Sequence, residues 1–180
     1  MARLKLATTW LGGCSGCHMS FLDLDEWLLE LAALADVVYC PLVDRKEFPE
    51  GVDLTLVEGA VANEDHLHHV RQVRERTRVL VSFGDCAVTG NVTALRNPLG
   101  GADVVLRRSY VEGGDLNPRV PADCGVLPVL LDRVVPVHQV VHVDHFLPGC
   151  PPPAERIRAL LQPLLSGEVP HLAGKDLKFG

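Results

Sequence analysis

Apolar runs alternate with amphipathic segments along the first half of the chain. One run begins at residue 4 (LKLATTWL), and three more read VVYCPLV, LTLVEGA and RVLVSFG. Their nearly continuous apolar and β-branched character is typical of parallel strands that helices cover on both faces. Strands and helices in alternation predict βαβ units, and therefore an α/β domain built on a parallel sheet.

The amphipathic segments predict the helices. One helix is expected over residues 19–34, where six apolar residues recur at helical spacing: Met19, Leu22, Trp27, Leu28, Leu31 and Leu34. A second helix is expected over residues 64–76 (EDHLHHVRQVRER), with Asn63 as its N-cap. Its alternating charges indicate a solvent-facing helix. We therefore interpret its three histidines as solvated side chains: His66, His68 and His69.

The second half of the chain has a weaker pattern. Residues 99–137 contain glycine pairs and scattered prolines, which predict loops with short helices. A last strand is expected over residues 139–150 (QVVHVDHFLPGC), followed by a closing helix over residues 151–165 (PPPAERIRALLQPLL). We therefore predict one α/β domain over residues 1–165 and an exposed C-terminal extension over residues 166–180.

Composition narrows the classes of function. The 180 residues suit a single domain, and 47% hydrophobic with 22% charged residues is ordinary for a globular protein. A net charge of −6 without a basic patch argues against nucleic-acid binding. No apolar run reaches the roughly 18 residues of a membrane span. The segment MARLKLATTWLGG lacks the long apolar region and the twin-arginine pair of an export signal, so we expect a cytoplasmic protein.

Four of the six cysteines follow predicted strands. Cys14 and Cys17 lie in the loop after the first strand, Cys86 follows RVLVSFGD, and Cys150 follows VVHVDHFLPG. The loops beyond the carboxyl ends of parallel strands share one edge of the sheet, so we expect these four thiols to meet at one site. In a cytoplasmic protein, cysteines are metal ligands or catalytic thiols more often than disulfides.

Four thiolates suit either zinc or an iron-sulfur cluster. A structural zinc site usually combines two compact knuckles, whereas this chain has one, at Cys14 and Cys17. Small residues flank each of the four cysteines (GGCSGC, GDCAVTG and PGCPPP), and they let backbone N–H groups approach the sulfides of a cluster. A zinc site, or a redox dithiol formed by Cys14 and Cys17 in a module that binds a partner, is the alternative.

The remaining candidates are single residues. Cys40 sits within VVYCPLV, where a packing role is expected. Cys124 lies in the irregular region and is left out of the site, because a cuboidal cluster needs only four protein thiolates. His18 directly follows the cysteine pair, where it can donate an N–H group to a cluster sulfur or to a facing subunit. No G-x-G-x-x-G or P-loop motif predicts binding of NAD or another nucleotide by this chain.

Four segments carry a resemblance to a known family. LGGCSGCHMS, VEGAVANEDH, GDCAVTGN and VDHFLPGCPPPAE resemble the small, electron-transferring subunit of nickel-iron hydrogenases, especially the short form of soluble NAD-reducing enzymes. The resemblance covers most of the first 160 residues. It implies a flavodoxin-like fold and one proximal 4Fe-4S cluster bound by Cys14, Cys17, Cys86 and Cys150. It also implies a nickel-iron centre that a separate large subunit holds entirely.

The resemblance bears on Glu58 as well. This residue ends a predicted strand at the expected cluster edge, and a carboxylate there can hydrogen-bond a partner or relay protons. The alternative is a solvated or N-capping acid near Asn63 and Glu64.

Two departures from the wider family matter. Periplasmic small subunits carry a twin-arginine leader and a C-terminal domain for further clusters, and this sequence shows neither. That implies one cluster here, with further iron-sulfur and flavin subunits of a heteromeric complex carrying electrons to FMN and NAD. The related subunit of respiratory complex I has two adjacent cysteines where this chain reads CSGC, which favours hydrogenase. We therefore expect a subunit of an H2:NAD+ oxidoreductase whose catalytic centre lies on the partner.

Overall fold

The computed structural model describes residues 3–43, 45–123 and 125–180. Its strands are β1 (Leu4–Trp10), β2 (Ala35–Tyr39), β3 (Val52–Glu58), β4 (Val61–Asn63), β5 (Thr77–Phe83), β6 (Leu130–Val135) and β7 (His145–Leu147). Five of them form one parallel sheet in the order β2-β1-β3-β5-β7, and β4 pairs with β6 in a separate antiparallel pair. The order of the main sheet is that of the flavodoxin-like fold, which confirms the predicted fold class.

Helices cover both faces of the sheet. They are α1 (Gly16–Leu22), α2 (Trp27–Leu34), α3 (Glu64–Arg76), α4 (Asp85–Thr89), α5 (Ala102–Arg107) and α6 (Ala154–Leu165). One core cluster joins residues of α1, α2 and α6 to the sheet, and a second joins α3 to the opposite face. The buried apolar strands β3 and β5 lie between these clusters, as their composition predicts.

The prediction of a single helix over residues 19–34 is wrong, because a turn separates α1 from α2. Asp25 in that turn has φ 48°, in the left-handed region that aspartate tolerates better than most residues. Leu24 is buried at the turn, while Met19 and Leu34 are exposed. The apolar spacing thus continues through a turn and does not mark one buried face.

Two strand predictions also need correction. The strand expected to contain Cys40 ends at Tyr39, so Cys40 lies after the strand and is half-buried. That strand, β2, is at the edge of the sheet, which explains its exposed Val37. The last strand spans only His145–Leu147, because β5 pairs with it over three residues and the preceding segment packs without forming a ladder.

Several other predictions are confirmed. Helix α3 covers the expected residues, and the Asn63 side chain caps it by accepting a hydrogen bond from the His66 backbone N–H at 2.7 Å. Helix α6 closes the domain and buries Ile157, Leu160 and Leu161 against the sheet.

The region expected to hold loops and short helices contains α5 but also β6, which the sequence pattern does not predict. The side chain of Asn97 holds this strand through two hydrogen bonds with the Val134 backbone, at 2.8 and 2.7 Å. Cys124 lies outside the described residues.

The C-terminal segment contacts the domain. Arg156 Nη1 donates a hydrogen bond to the Lys178 carbonyl at 2.8 Å, and the Gly180 N–H donates to Asp85 Oδ2 at 2.9 Å. The division of the chain at residue 165 stays a prediction. Among the helices that the structure describes, none is long and apolar enough to cross a membrane.

Candidate metal centre

The four cysteines that follow strands lie at the carboxyl edge of the sheet. Cys17 is in the first turn of α1 and is buried, and Cys86 is in α4 and is half-buried. Cys14 and Cys150 lie in the loops after β1 and β7 and are exposed. The structure therefore brings together the four thiols that the sequence placed at strand ends.

Backbone hydrogen bonds tie the cysteine-bearing loops to one another. The Gly84 N–H donates to the Leu147 carbonyl at 2.8 Å, and the Asp85 N–H donates to the Gly149 carbonyl at 2.9 Å. In return, the Gly149 N–H donates to Asp85 Oδ1 at 2.6 Å. These bonds fix the loop of Cys86 against the loop of Cys150.

Gly84 makes room for the Cys17 sulfur. Its backbone has φ 83°, and a Cβ atom at this position would lie 2.1 Å from Cys17 Sγ. Only glycine fits such a close approach in this conformation. Gly84 precedes Cys86 by two residues, but it is the packing of Cys17 that requires a glycine there.

The pKa values of Cys17 and Cys86 are raised in part by the other thiols at the site. Burial raises the pKa of Cys17 most, and the negative charges of Glu58 and of the other three thiols raise it further. Burial also raises the pKa of Cys86, and the charges of Cys150 and Cys14 raise it further. Thiolates this close together repel one another, so the site favours a cationic centre that compensates their charge.

Buried Glu58 and half-buried His18 form a pair beside Cys17. Glu58 ends β3 and is only 2% exposed, so its interpretation as a solvated acid is wrong. Its Oε2 atom accepts hydrogen bonds from the His18 backbone N–H at 3.0 Å and from His18 Nδ1. The other ring nitrogen, Nε2, is buried and has no partner among the described residues. The His18 ring also packs edge-on against Trp10, with 5.4 Å between ring centroids.

The chemistry of the four thiols suits an iron-sulfur cluster. Within the described ranges, no three histidine, cysteine or carboxylate side chains are close enough together to ligate one metal ion. A zinc site needs all of its sulfurs within about 2.3 Å of one ion, whereas each thiolate of a 4Fe-4S cluster binds its own iron atom. Four cysteine thiols, next to a buried ring nitrogen that has no partner among the described residues, are the donor chemistry that such a cluster uses.

Two of the three histidines on α3 are not solvated, which corrects the prediction. His66 and His69 are half-buried, and burial lowers the pKa of both. The Nε2 atom of His69 is hydrogen-bonded to Thr9 Oγ1 at 2.9 Å, and its ring packs against Phe48. His68 is exposed, as expected.

Two side chains at the site are not singled out by the sequence pattern. Asn91 Nδ2 donates a hydrogen bond to Cys150 Sγ at 3.4 Å, and Thr93 Oγ1 donates to the Gly12 carbonyl, in the loop of Cys14, at 3.3 Å. Both lie in the short 3-10 helix Asn91–Leu99 that follows α4. The dipeptide Gly90–Asn91 is a turn signal, but the sequence does not reveal that the turn faces the Cys150 sulfur.

Comparisons with known proteins agree on one family. A family model described as the NADH ubiquinone oxidoreductase 20 kDa subunit matches residues 14–164. The delta subunit of the NAD-reducing hydrogenase HoxS from Cupriavidus necator is 38% identical over 168 residues, which cover 92% of this chain and 80% of that protein. A vhu subunit of the F420-non-reducing hydrogenase from Methanocaldococcus jannaschii is 35% identical over 96% of this chain. This chain spans about 59% of the length of that relative.

Solved structures extend the comparison. A chain of a crystal structure of NAD+-reducing [NiFe]-hydrogenase in the H2-reduced state superposes with a TM-score of 0.93 and 40% identity. The match covers 99% of this chain and 100% of that chain. A [NiFeSe]-hydrogenase chain from Dm. baculatum superposes with a TM-score of 0.62 at 14% identity, and it shares the fold alone.

Proposed function

Because this chain belongs to the NADH ubiquinone oxidoreductase 20 kDa subunit family, among the small subunits of nickel-iron hydrogenases, we propose that it transfers electrons within a cytoplasmic NAD-reducing hydrogenase. Its one 4Fe-4S cluster is bound by Cys14, Cys17, Cys86 and Cys150 and is the proximal cluster of the complex. The observation that carries the proposal is the meeting of these four thiols at the carboxyl edge of the sheet.

The residues of the chain hold and tune this group. When bound, the cluster supplies reversible one-electron transfer. Cys17 and Cys86 fix its buried side, while Cys14 and Cys150 leave the opposite side near the surface, where a redox centre of a partner can approach. His18 and Glu58 border the buried side, and Glu58 holds the ring so that its buried Nε2 atom is available to the cluster.

Exposed apolar side chains support a partner on this edge. Trp10, Met19 and Val92 lie next to the cysteine loops along the chain, and Met19 and Val92 are 63% and 64% exposed. Large exposed apolar patches mark interaction surfaces. We assign this surface to a large subunit that holds the nickel-iron centre. Electrons then leave through further iron-sulfur and flavin subunits that bind FMN and NAD.

Co-expression with the large subunit tests this function. We expect the complex to reduce an artificial dye with hydrogen, and we expect the isolated chain to be inactive, because we assign the nickel-iron centre to the large subunit. Hydrogen exchange on the complex should show protection of residues 11–20 and 84–92 and little change on α3. Dye reduction by the chain alone, or protection confined to α3, contradicts the proposal. A colourless, zinc-containing or metal-free protein after anaerobic purification would favour the alternative, a zinc or redox-thiol module that binds a partner.

A further inference from the structure

The Asn91 side chain contacts a cysteine sulfur from an unusual backbone conformation. Its Nδ2 atom donates to Cys150 Sγ at 3.4 Å, and within the described part of the chain this is the only hydrogen bond of that side chain. Its φ angle is 34°, in the left-handed region. Asn91 therefore directs its amide at one of the four thiols through a backbone that most side chains disfavour.

The positive φ angle of Asn91 is one that glycine adopts without strain. Gly90, the preceding residue, has φ 88°, so two consecutive residues turn the chain back toward the sulfurs. An asparagine at the second position keeps a side chain where glycine would be the easier choice. Asparagine tolerates the left-handed region better than most residues, so the turn can keep a side chain that reaches Cys150.

A donor on Cys150 has a specific electrostatic consequence. One-electron reduction of a cluster adds negative charge that spreads over its sulfur ligands. An N–H group pointing at a thiolate stabilises the more negative state, and so it raises the reduction potential. No bond to the cluster is formed or broken and no proton is transferred. The electron comes from the hydrogen-oxidising partner or, in a titration, from dithionite.

A second side chain of the same short helix contacts the backbone around the site. The Thr93 hydroxyl donates hydrogen bonds to the Gly90 and Gly12 carbonyls, at 2.8 and 3.3 Å. Asn91 is therefore the residue of this helix whose side chain reaches a cysteine sulfur in the described part of the chain. Because the donor on Cys150 belongs to a side chain, a substitution can remove it.

We propose that Asn91 sets the reduction potential of the cluster, through its amide hydrogen bond to the Cys150 sulfur. The inference rests on the proposed function, because it requires the four cysteines to bind a cluster. It names a tuning residue that acts through a ligand and does not itself bind iron.

Redox titration of the cluster, followed by electron paramagnetic resonance on the anaerobically purified complex, tests the proposal. Asn91→Gly removes the donor and keeps the left-handed backbone accessible, whereas Asn91→Ala removes the donor and strains the backbone. Both should lower the ratio of reduced to oxidised cluster at a fixed potential by about three- to tenfold, the worth of one hydrogen bond. Asn91→Asp should lower it further, since its carboxylate offers no donor and adds negative charge.

Asn117 offers a matched control. It is exposed, it has φ 52°, and it lies in a loop away from the cysteines, so Asn117→Gly should leave the potential unchanged. A wild-type potential in Asn91→Gly with full iron content overturns the inference and leaves the proposed function intact. Loss of iron in Asn91→Gly also overturns it, because the side chain would then serve assembly. Absence of iron from the wild-type protein refutes the proposed function itself.

Discussion

The inner and outer cysteines of the site differ in how the chain holds them. Cys17 and Cys86 are on α1 and α4, and the bulk of the protein buries them wholly or partly. Cys14 and Cys150 are exposed in loops. Burial and negative neighbours raise the pKa of the inner thiols, whereas the outer thiols face solvent. In the proposed complex, the inner pair fixes the position of the cluster and the outer pair faces the large subunit.

The largest expected effect comes from filling the space around an inner cysteine. Gly84→Ala would put a Cβ atom 2.1 Å from Cys17 Sγ at a φ of 83°, so we expect loss of most bound iron and a destabilisation of roughly 3 kcal/mol. Thermal unfolding and iron analysis measure both. Gly167→Ala is the matched control, because Gly167 has φ 78° with open space around it and should lose only about 1 kcal/mol. Equal losses in the two variants would mean that the contact with Cys17 is unimportant.

The raised pKa of Cys17 predicts a pH dependence for the metal-free chain. The unfolded thiol has its ordinary pKa near 9, and the folded value is higher, so the folded state keeps a proton that the unfolded state releases. The contribution of Cys17 to stability should therefore be constant below pH 9 and fall above it by about 1.4 kcal/mol per pH unit. Denaturant unfolding at several pH values measures the slope. Cys17→Ala should remove this part of the slope and leave the part that comes from the raised pKa of Cys86, whereas Cys14→Ala should keep the Cys17 part.

Glu58→Gln should reduce the difference in reactivity between the inner thiol Cys17 and the outer thiols. The Glu58 charge raises the pKa of Cys17, so its removal should make Cys17 of the metal-free chain react several-fold faster with iodoacetamide near neutral pH. Mass spectrometry of the labelled peptides reports each cysteine separately. The rate at Cys150 should not change, and Glu64→Gln, a change at an exposed residue of α3, should leave all rates unchanged. Equal acceleration at Cys17 and Cys150 would contradict the inference that the Glu58 charge acts on the inner thiol Cys17.

The smallest expected effect concerns the histidines of α3, which lie outside the site. His69→Ala should cost about 1 kcal/mol of stability, because it removes the hydrogen bond with Thr9 and the contact with Phe48. The exposed His68→Ala should change stability by less than about 0.5 kcal/mol. Iron content should stay at the wild-type value in both, and loss of iron in either would place a ligand on α3.

The fold was predictable where local pattern and packing agree. Strands β3 and β5 are apolar runs buried on both faces, and α3 carries its own cap at Asn63. The division of the first helix was not predictable, because the apolar spacing continues through the turn that contains Asp25. Strand β6 depends on long-range pairing with β4 and on Asn97, which no local pattern reveals.

The candidate site also has features that the sequence predicts and features that it does not. Its four cysteines were predictable because the ends of parallel strands meet at one edge of the sheet. The pairing of His18 with Glu58 and the contact of Asn91 with Cys150 were not, since they depend on how separate loops fold back on each other. Sequence therefore located the candidate ligands, and the structure adds the neighbours that surround them.

Iron and acid-labile sulfide analysis of the anaerobically purified chain tests the central claim, that Cys14, Cys17, Cys86 and Cys150 bind one 4Fe-4S cluster. We expect about four iron and four sulfide per chain in the wild type and in Cys40→Ala, where the half-buried Cys40 lies outside the site. Each Cys→Ser variant at the four positions should lose most of both. Wild-type iron in Cys86→Ser, or zinc in place of iron in the wild type, would contradict the claim.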